Sequence, residues 1–242
     1  MNSLKTWVAL LLAGLCALPA FAAEADDAKM DWPNLAAYRS ANAKDGLPAK
    51  GEQRVVFMGD SITEFWTKSY WNKTTINRGI SGQTSPQMLL RFRADVIALK
   101  PKVVVILAGT NDIAGNTGTS TNEMIVDNIA SMVDLAKANG IKVVLCSVLP
   151  AAGFYWNEAA RPAPQIAALN QLLQDYAKRQ HLIYVDYYAA MVDERPGLKK
   201  AYSEDGVHPN EAGYKVMIAL VDKAIASAST GHKAIAAALK AK

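Results

Sequence analysis

The chain of 242 residues has only two cysteines and three histidines, and that scarcity removes several kinds of protein at once. Cys16 and Cys146 cannot build a disulfide framework, and a di-metal centre would need more ligands than His181, His208 and His232 can anchor. The excess of positive charge is small too. A formal net charge of +4, with no basic cluster beyond Lys233, Lys240 and Lys242, implies no nucleic-acid partner. Past residue 22 no apolar run approaches the roughly 20 residues of a membrane span. Nor is there an internal repeat, or a biased stretch other than the alanine-rich C-terminus.

The amino-terminal residues do have a recognisable layout. Lys5, an apolar core from Trp7 to Leu18 and the closing Pro19-Ala20-Phe21-Ala22 read as a secretory signal cleaved after Ala22. Leu15 stands where lipoprotein processing at Cys16 wants a small residue, which argues against a lipid anchor. Cleavage removes Lys5, lowering the formal charge by one to +3. It also leaves Cys146 as the only thiol, in the apolar run Lys142–Val148, where it is expected to be packing material in a buried strand. The mature protein is expected to be exported, periplasmic or secreted, with no transmembrane segment. Its about 220 residues suit one well-buried domain.

From residue 51 onward short β-rich runs alternate with helical spacing. Strands are expected at Arg54–Met58, Thr74–Asn77, Lys102–Leu107, Lys142–Val148 and Leu182–Asp186. Helices are expected at Pro86–Leu99, Asn122–Asn139, Gln165–Gln180 and Asn210–Ala228, after a short one near Asp31–Ala43 and a turn-rich linker to Gly51. Such alternation predicts an α/β fold with a parallel sheet covered by helices on both faces.

Chemistry-bearing residues gather just past the strand candidates, where such sheets collect their sites. Ser61 follows Gly59-Asp60 at a strand-to-helix turn, so its hydroxyl could attack a carbonyl or merely cap the helix. The G-x-S-x-G elbow is absent, because Thr63 stands where its second glycine would be. His208 is the one histidine in a turn-rich segment directly before a helix, and Asp205 three residues earlier could orient its ring. Gly79 could bring a backbone N–H close to a ligand, and Asn111 could donate from its amide. Three such donors converging on an oxyanion, counting the Ser61 N–H, would each be worth on the order of 10²–10³ in rate. Asp60 and Asp112 are expected to brace their own turns.

Taken together, Gly59-Asp60-Ser61-Ile62-Thr63, Asn77-Arg78-Gly79, Gly109-Thr110-Asn111-Asp112 and Asp205-Gly206-Val207-His208-Pro209 resemble, in order, the four blocks of the SGNH (GDSL) hydrolases. Within that family the chain is most similar to the group of platelet-activating-factor acetylhydrolase catalytic subunits and bacterial acyl esterases, with Ile62 replacing the leucine of the name-giving motif. The resemblance implies a flavodoxin-like three-layer α/β/α fold with a five-stranded parallel sheet and no cofactor or metal. It implies Ser61 as nucleophile, His208 as base, Asp205 as its partner, and an oxyanion hole of Ser61, Gly79 and Asn111. The domain plan is then signal 1–22, N-terminal helix and linker 23–50, hydrolase domain 51–228 and tail 229–242.

The loop Pro150–Pro164 carries Tyr155, Trp156 and Arg161, expected to overhang the Ser61 edge and meet the substrate. With no extended apolar lid, a short acyl group, acetyl on a small molecule or carbohydrate, is favoured over a long-chain lipid or thioester. A metal phosphoesterase lacks ligands here, and a non-catalytic carbohydrate-binding module would have no use for Ser61, Asp205 and His208 together.

Overall fold

Apolar runs such as Val103–Ile106 put hydrophobic side chains on both faces of a strand, so they can be buried only under two layers of helix. The computed structural model describes residues 31–72 and 74–240, with the backbone alone from 231 onward. The expected signal at 1–22 lies outside the described residues. The chain divides after Trp32, and the fold belongs to the unit from Pro33 onward.

Helix α1 spans Arg39–Asp45. The expected helix near Asp31–Ala43 begins later because Pro33 lacks an N–H and Asn34 turns the chain at φ 59°. The succession is then β1 Val55–Gly59, α2 Ser61–Glu64, β2 Thr75–Gly79, α3 Ser85–Asp95, β3 Val103–Ile106 and α4 Thr110–Ile113. It continues with α5 Asn122–Ala138, β4 Lys142–Cys146, α6 Pro162–Arg179, β5 Ile183–Val185, α7 Tyr187–Met191 and α8 Glu211–Lys240. The last helix does not stop at Ala228 but runs through most of the stretch read as a tail.

Local chemistry explains the helix boundaries. Thr84 and Gln87 form a capping box at the start of α3, and Pro86 occupies its first turn, where its missing N–H costs nothing. Helix α5 starts at Thr121, whose side chain accepts from the Met124 N–H, and ends at Asn139 before Gly140 at φ 70°. Between those stops its buried residues Ile125, Ile129, Met132, Val133 and Ala136 follow helical spacing and make one apolar stripe.

All five strands are parallel, in the order β2-β1-β3-β4-β5, giving a three-layer α/β/α fold. Alternation splits the core in two. Val56, Met58, Val104 and Ile106 face Met88, Phe92, Ile125 and Leu169 of α3, α5 and α6. Val55, Phe57, Val103 and Val105 face Tyr214, Met217 and Val221 of α8, together with the ring cluster around Trp66. Cys146 is wholly buried in β4, and burial pushes its thiol up to about 12.

The register decides where the site lies. Gly59 pairs with Gly79 and Met58 with Ile106, so β1, β2 and β3 end level. The order reverses at β1 and β3, the crevice where open α/β sheets bind ligands, and Ser61 and Asn111 follow those two strands.

Phe57 is 1% exposed and meets Trp66, Tyr70 and Trp71 edge-on at 5.2–5.7 Å. Phe57→Ala is expected to cost about 3–5 kcal/mol, read as a lower urea midpoint at constant slope. Leu90→Ala, at an exposed position of α3, should stay within about 0.5 kcal/mol of wild type.

Candidate active site

Ser61 is the first residue of α2, and Asp60 caps that helix by accepting from the Ile62 N–H at 2.9 Å. The Ser61 hydroxyl lies 2.9 Å from His208 Nε2, across 147 residues of sequence. On the far side of the ring, His208 Nδ1 lies 2.7 Å from Asp205 Oδ2. Asp205 Oδ1 accepts from the N–H groups of Val207 and His208 and from the Ser203 hydroxyl. Burial works against its charge, but the His208 side chain and those two backbone donors outweigh it and hold the carboxyl at about 2. With Asp205 ionised, Nδ1 carries the ring proton and Nε2 is left to accept one from Ser61. Hydroxyl, imidazole and carboxylate thus form one line along which a serine can be activated.

A cavity of about 230 Å³ opens on this line, lined by Ser61, Phe65, Ser81, Gly82, Asn111, Asn116, Tyr155, Trp156 and His208. Asn111 is buried, with Nδ2 donating to the Gln83 carbonyl at 3.1 Å and reaching Asp60 at 3.4 Å. Tyr155 and Trp156 form the outer wall, edge to face with each other, and Trp156 stacks on the buried Phe154. A larger cavity of about 500 Å³ lies at the opposite sheet edge beside Lys142 and His181. It has no nucleophile paired with a base, so chemistry and not size picks the site.

Two expected site residues are elsewhere. Gly79 is not in the cavity: its N–H donates to Asn77 Oδ1 at 2.8 Å and its carbonyl accepts from the Tyr38 hydroxyl. A side chain there would run into Glu64 N at 2.3 Å and Asp60 O at 2.7 Å, so this glycine lets β2 pack against α2. The glycine at the cavity is Gly82, at φ 76° in the loop between β2 and α3. Its signal in the sequence is a Ser-Gly pair one residue before the capping box that opens a helix. Arg161 is also displaced. Its guanidinium donates to the Glu158 and Ala160 carbonyls and lines a separate cavity with Thr119, Ser120 and Gln165.

Phe65 and Asn116 line the cavity without any mark in the sequence. Phe65 is 55% exposed with its ring 5.5 Å from that of His208, and nothing about a phenylalanine after a helical turn marks it as a wall. Asp60 caps its own turn as expected. Asp112 instead accepts from the N–H and hydroxyl of Ser85, 27 residues away, where the start of α3 leaves its donors unpaired. Among the described residues no three His, Cys, Asp or Glu side chains gather as a metal site would, and no helix is long and apolar enough to cross a membrane.

The model of the GDSL-like lipase/acylhydrolase family matches residues 57–216. A solved GDSL-like lipase from Bacteroides thetaiotaomicron is 50% identical, with a TM-score of 0.78 over 81% of this chain and 98% of its own. An acetylxylan esterase from Xylanibacter ruminicola is 31% identical over 204 residues, which are 76% of this chain and 39% of that enzyme. The human platelet-activating factor acetylhydrolase IB subunit alpha2 is 29% identical over 133 residues, 51% of this chain and 54% of its own. The chain therefore spans well under two thirds of either of these two curated relatives.

Asp60 yields a pH test. Burial pushes its carboxyl up to about 7, against the Ile62 N–H and the His208 charge. A folded value above the unfolded one means that the native state loses stability as pH rises from the ordinary carboxyl value, about 4, to about 7, and no further above it. Asparagine keeps the capping oxygen and cannot ionise. Asp60→Asn should therefore gain stability relative to wild type as pH rises from about 4 to about 7 in urea unfolding, with a constant difference above that, and a difference that does not change across this range would contradict the ionisation cost.

Proposed function

The chain belongs to the GDSL-like lipase/acylhydrolase family, and from that premise we propose that it is an esterase working through an acyl-enzyme on Ser61, releasing short acyl groups, acetyl foremost, from a hydroxyl-rich alcohol such as a carbohydrate. The observation that carries the reading is the Ser61–His208–Asp205 line at the carboxyl end of β1.

As Ser61 Oγ bonds to the ester carbonyl carbon, His208 Nε2 takes the hydroxyl proton and Asp205 stabilises the resulting imidazolium. The carbonyl oxygen becomes an oxyanion, held by the Ser61 and Gly82 backbone N–H groups and Asn111 Nδ2, with Gly82 taking the part first expected of Gly79. When the tetrahedral centre collapses, the carbon–alkoxy bond breaks and His208 returns the proton to the leaving alcohol. Water then attacks the acyl-serine by the same route, giving the acid and restoring Ser61.

Cavity size supports a short acyl group, since about 230 Å³ is below the usual range for drug-sized ligands, and Tyr155 and Trp156 stand where the alcohol would lie. Likeness to a protein named for acetylxylan supports the same class of substrate. The signal-like residues 1–22 support export, which would place the enzyme among such polymers.

Hydrolysis of a p-nitrophenyl ester series from acetyl to palmitoyl by the signal-free protein tests the reading. Activity should peak at acetyl, and Ser61→Ala should lower kcat by roughly 10⁴–10⁶-fold with an unchanged melting midpoint. Faster cleavage of decanoyl than of acetyl would overturn the short-chain assignment, and an active Ser61→Ala would overturn the nucleophile.

A further inference from the structure

Asn116 lies past the end of α4, and its backbone N–H returns to the Asn111 carbonyl at 3.0 Å. Its side chain reaches three separate elements. Nδ2 donates to the Gly82 carbonyl and to Asn111 Oδ1, each at 3.0 Å, while Oδ1 accepts from the Trp156 indole N–H at 3.0 Å. An indole N–H can only donate and a carbonyl can only accept, so these partners fix which end of the Asn116 amide is which. That choice fixes the next amide: Asn111 must offer its oxygen to Asn116, which turns its NH₂ to the Gln83 carbonyl and, at 3.4 Å, to Asp60 Oδ2, at the lining of the cavity. Reversing Asn116 would set two oxygens against each other and turn the Asn111 donor away.

We propose that Asn116 is a positioning residue that couples the aromatic wall to the oxyanion donors, so that the alcohol half of the ester, by seating against Trp156, raises the rate of acyl transfer and not only the affinity. This rests on the Ser61 acyl-enzyme reading. The coupling runs from the Trp156 indole through the Asn116 amide to Gly82 and Asn111, and the hydroxyl of Thr117, 2.9 Å from that of Thr84, holds the same turn against the Gly82 loop. Energy from a non-reacting part of the substrate is thereby spent where charge develops.

The test is a double-mutant cycle on p-nitrophenyl acetate and an acetylated xylo-oligosaccharide, with Ser61→Ala in parallel. Asn116→Ala should lower kcat about 10-fold with KM changed less than about 2-fold, and Asn116→Asp, isosteric but without the NH₂ donor, by about 10²-fold. Trp156→Phe, which keeps the ring and loses the N–H, should lower kcat about 3-fold, and combined with Asn116→Ala should be no worse than Asn116→Ala alone. Losses that multiply in the double variant, that fall on KM alone, or that follow the melting midpoint overturn the coupling. An active Ser61→Ala overturns the underlying acyl-enzyme reading, a result distinct from any of these.

Discussion

A positive charge with no access to water holds the carboxyl edge of the sheet together. Arg91 is 0% exposed, and its guanidinium donates to the Gly59 carbonyl at 3.1 Å, to Gln83 Oε1 at 2.6 Å and to Asp95 at 3.0 Å. The first partner is the end of β1 just before Ser61, the second the residue after Gly82, and the third the compensating carboxylate one turn along α3. Burying an ion pair costs several kcal/mol per ion in desolvation, so such a group persists only with its donors satisfied. Satisfied, it pins the strand that leads into Ser61 to the glycine loop.

The amino-terminal segment completes that framework. Arg78 in β2, also buried, donates to Asn42 and Asp45 of α1 and lies 4.7 Å from the centre of the Tyr38 ring. Asn42 donates in turn to Asp95, the carboxylate that neutralises Arg91. Gln83 donates to the Pro33 carbonyl, so the glycine loop is gripped from two sides. Residues that read as an N-terminal helix and linker thus hold the framework around the site.

These restraints matter because acyl transfer rewards donors already in place. Hydroxyl, imidazole and carboxylate are aligned by a strand end and by a turn whose backbone N–H groups satisfy Asp205. Asn111 is oriented by Gln83 and Asn116, and the walls come from Phe65 on one side and the Tyr155–Trp156 loop on the other. Ser61 and Asn111 follow strand ends at the sheet edge, and the aromatic wall lies on a loop.

Much was legible from sequence because its cause is local. Strand and helix order follow from apolar periodicity, with boundaries off by a few residues where caps intervene, and Ser61, Asn111, Asp205 and His208 stand at strand ends or in turns whose spacing is itself the signal. Asp205 and His208 are three residues apart, so one turn joins them whatever the rest of the chain does. Gly79 and Gly82, by contrast, are both glycines after the second strand, and only the packing of β2 on α2 shows that the first has its N–H committed to Asn77. Phe65 and Asn116 carry no local mark, because they get their parts from His208, Gly82 and Trp156, tens of residues away, and Arg91 reaches across 32 residues to the Gly59 carbonyl. The sequence by itself determined the layers and the chemical groups at the sheet edge, since periodicity and turn chemistry act over a few residues. Which donor faces the cavity was decided only by tertiary structure, because a buried N–H or amide must satisfy whatever partner the fold brings within about 3 Å.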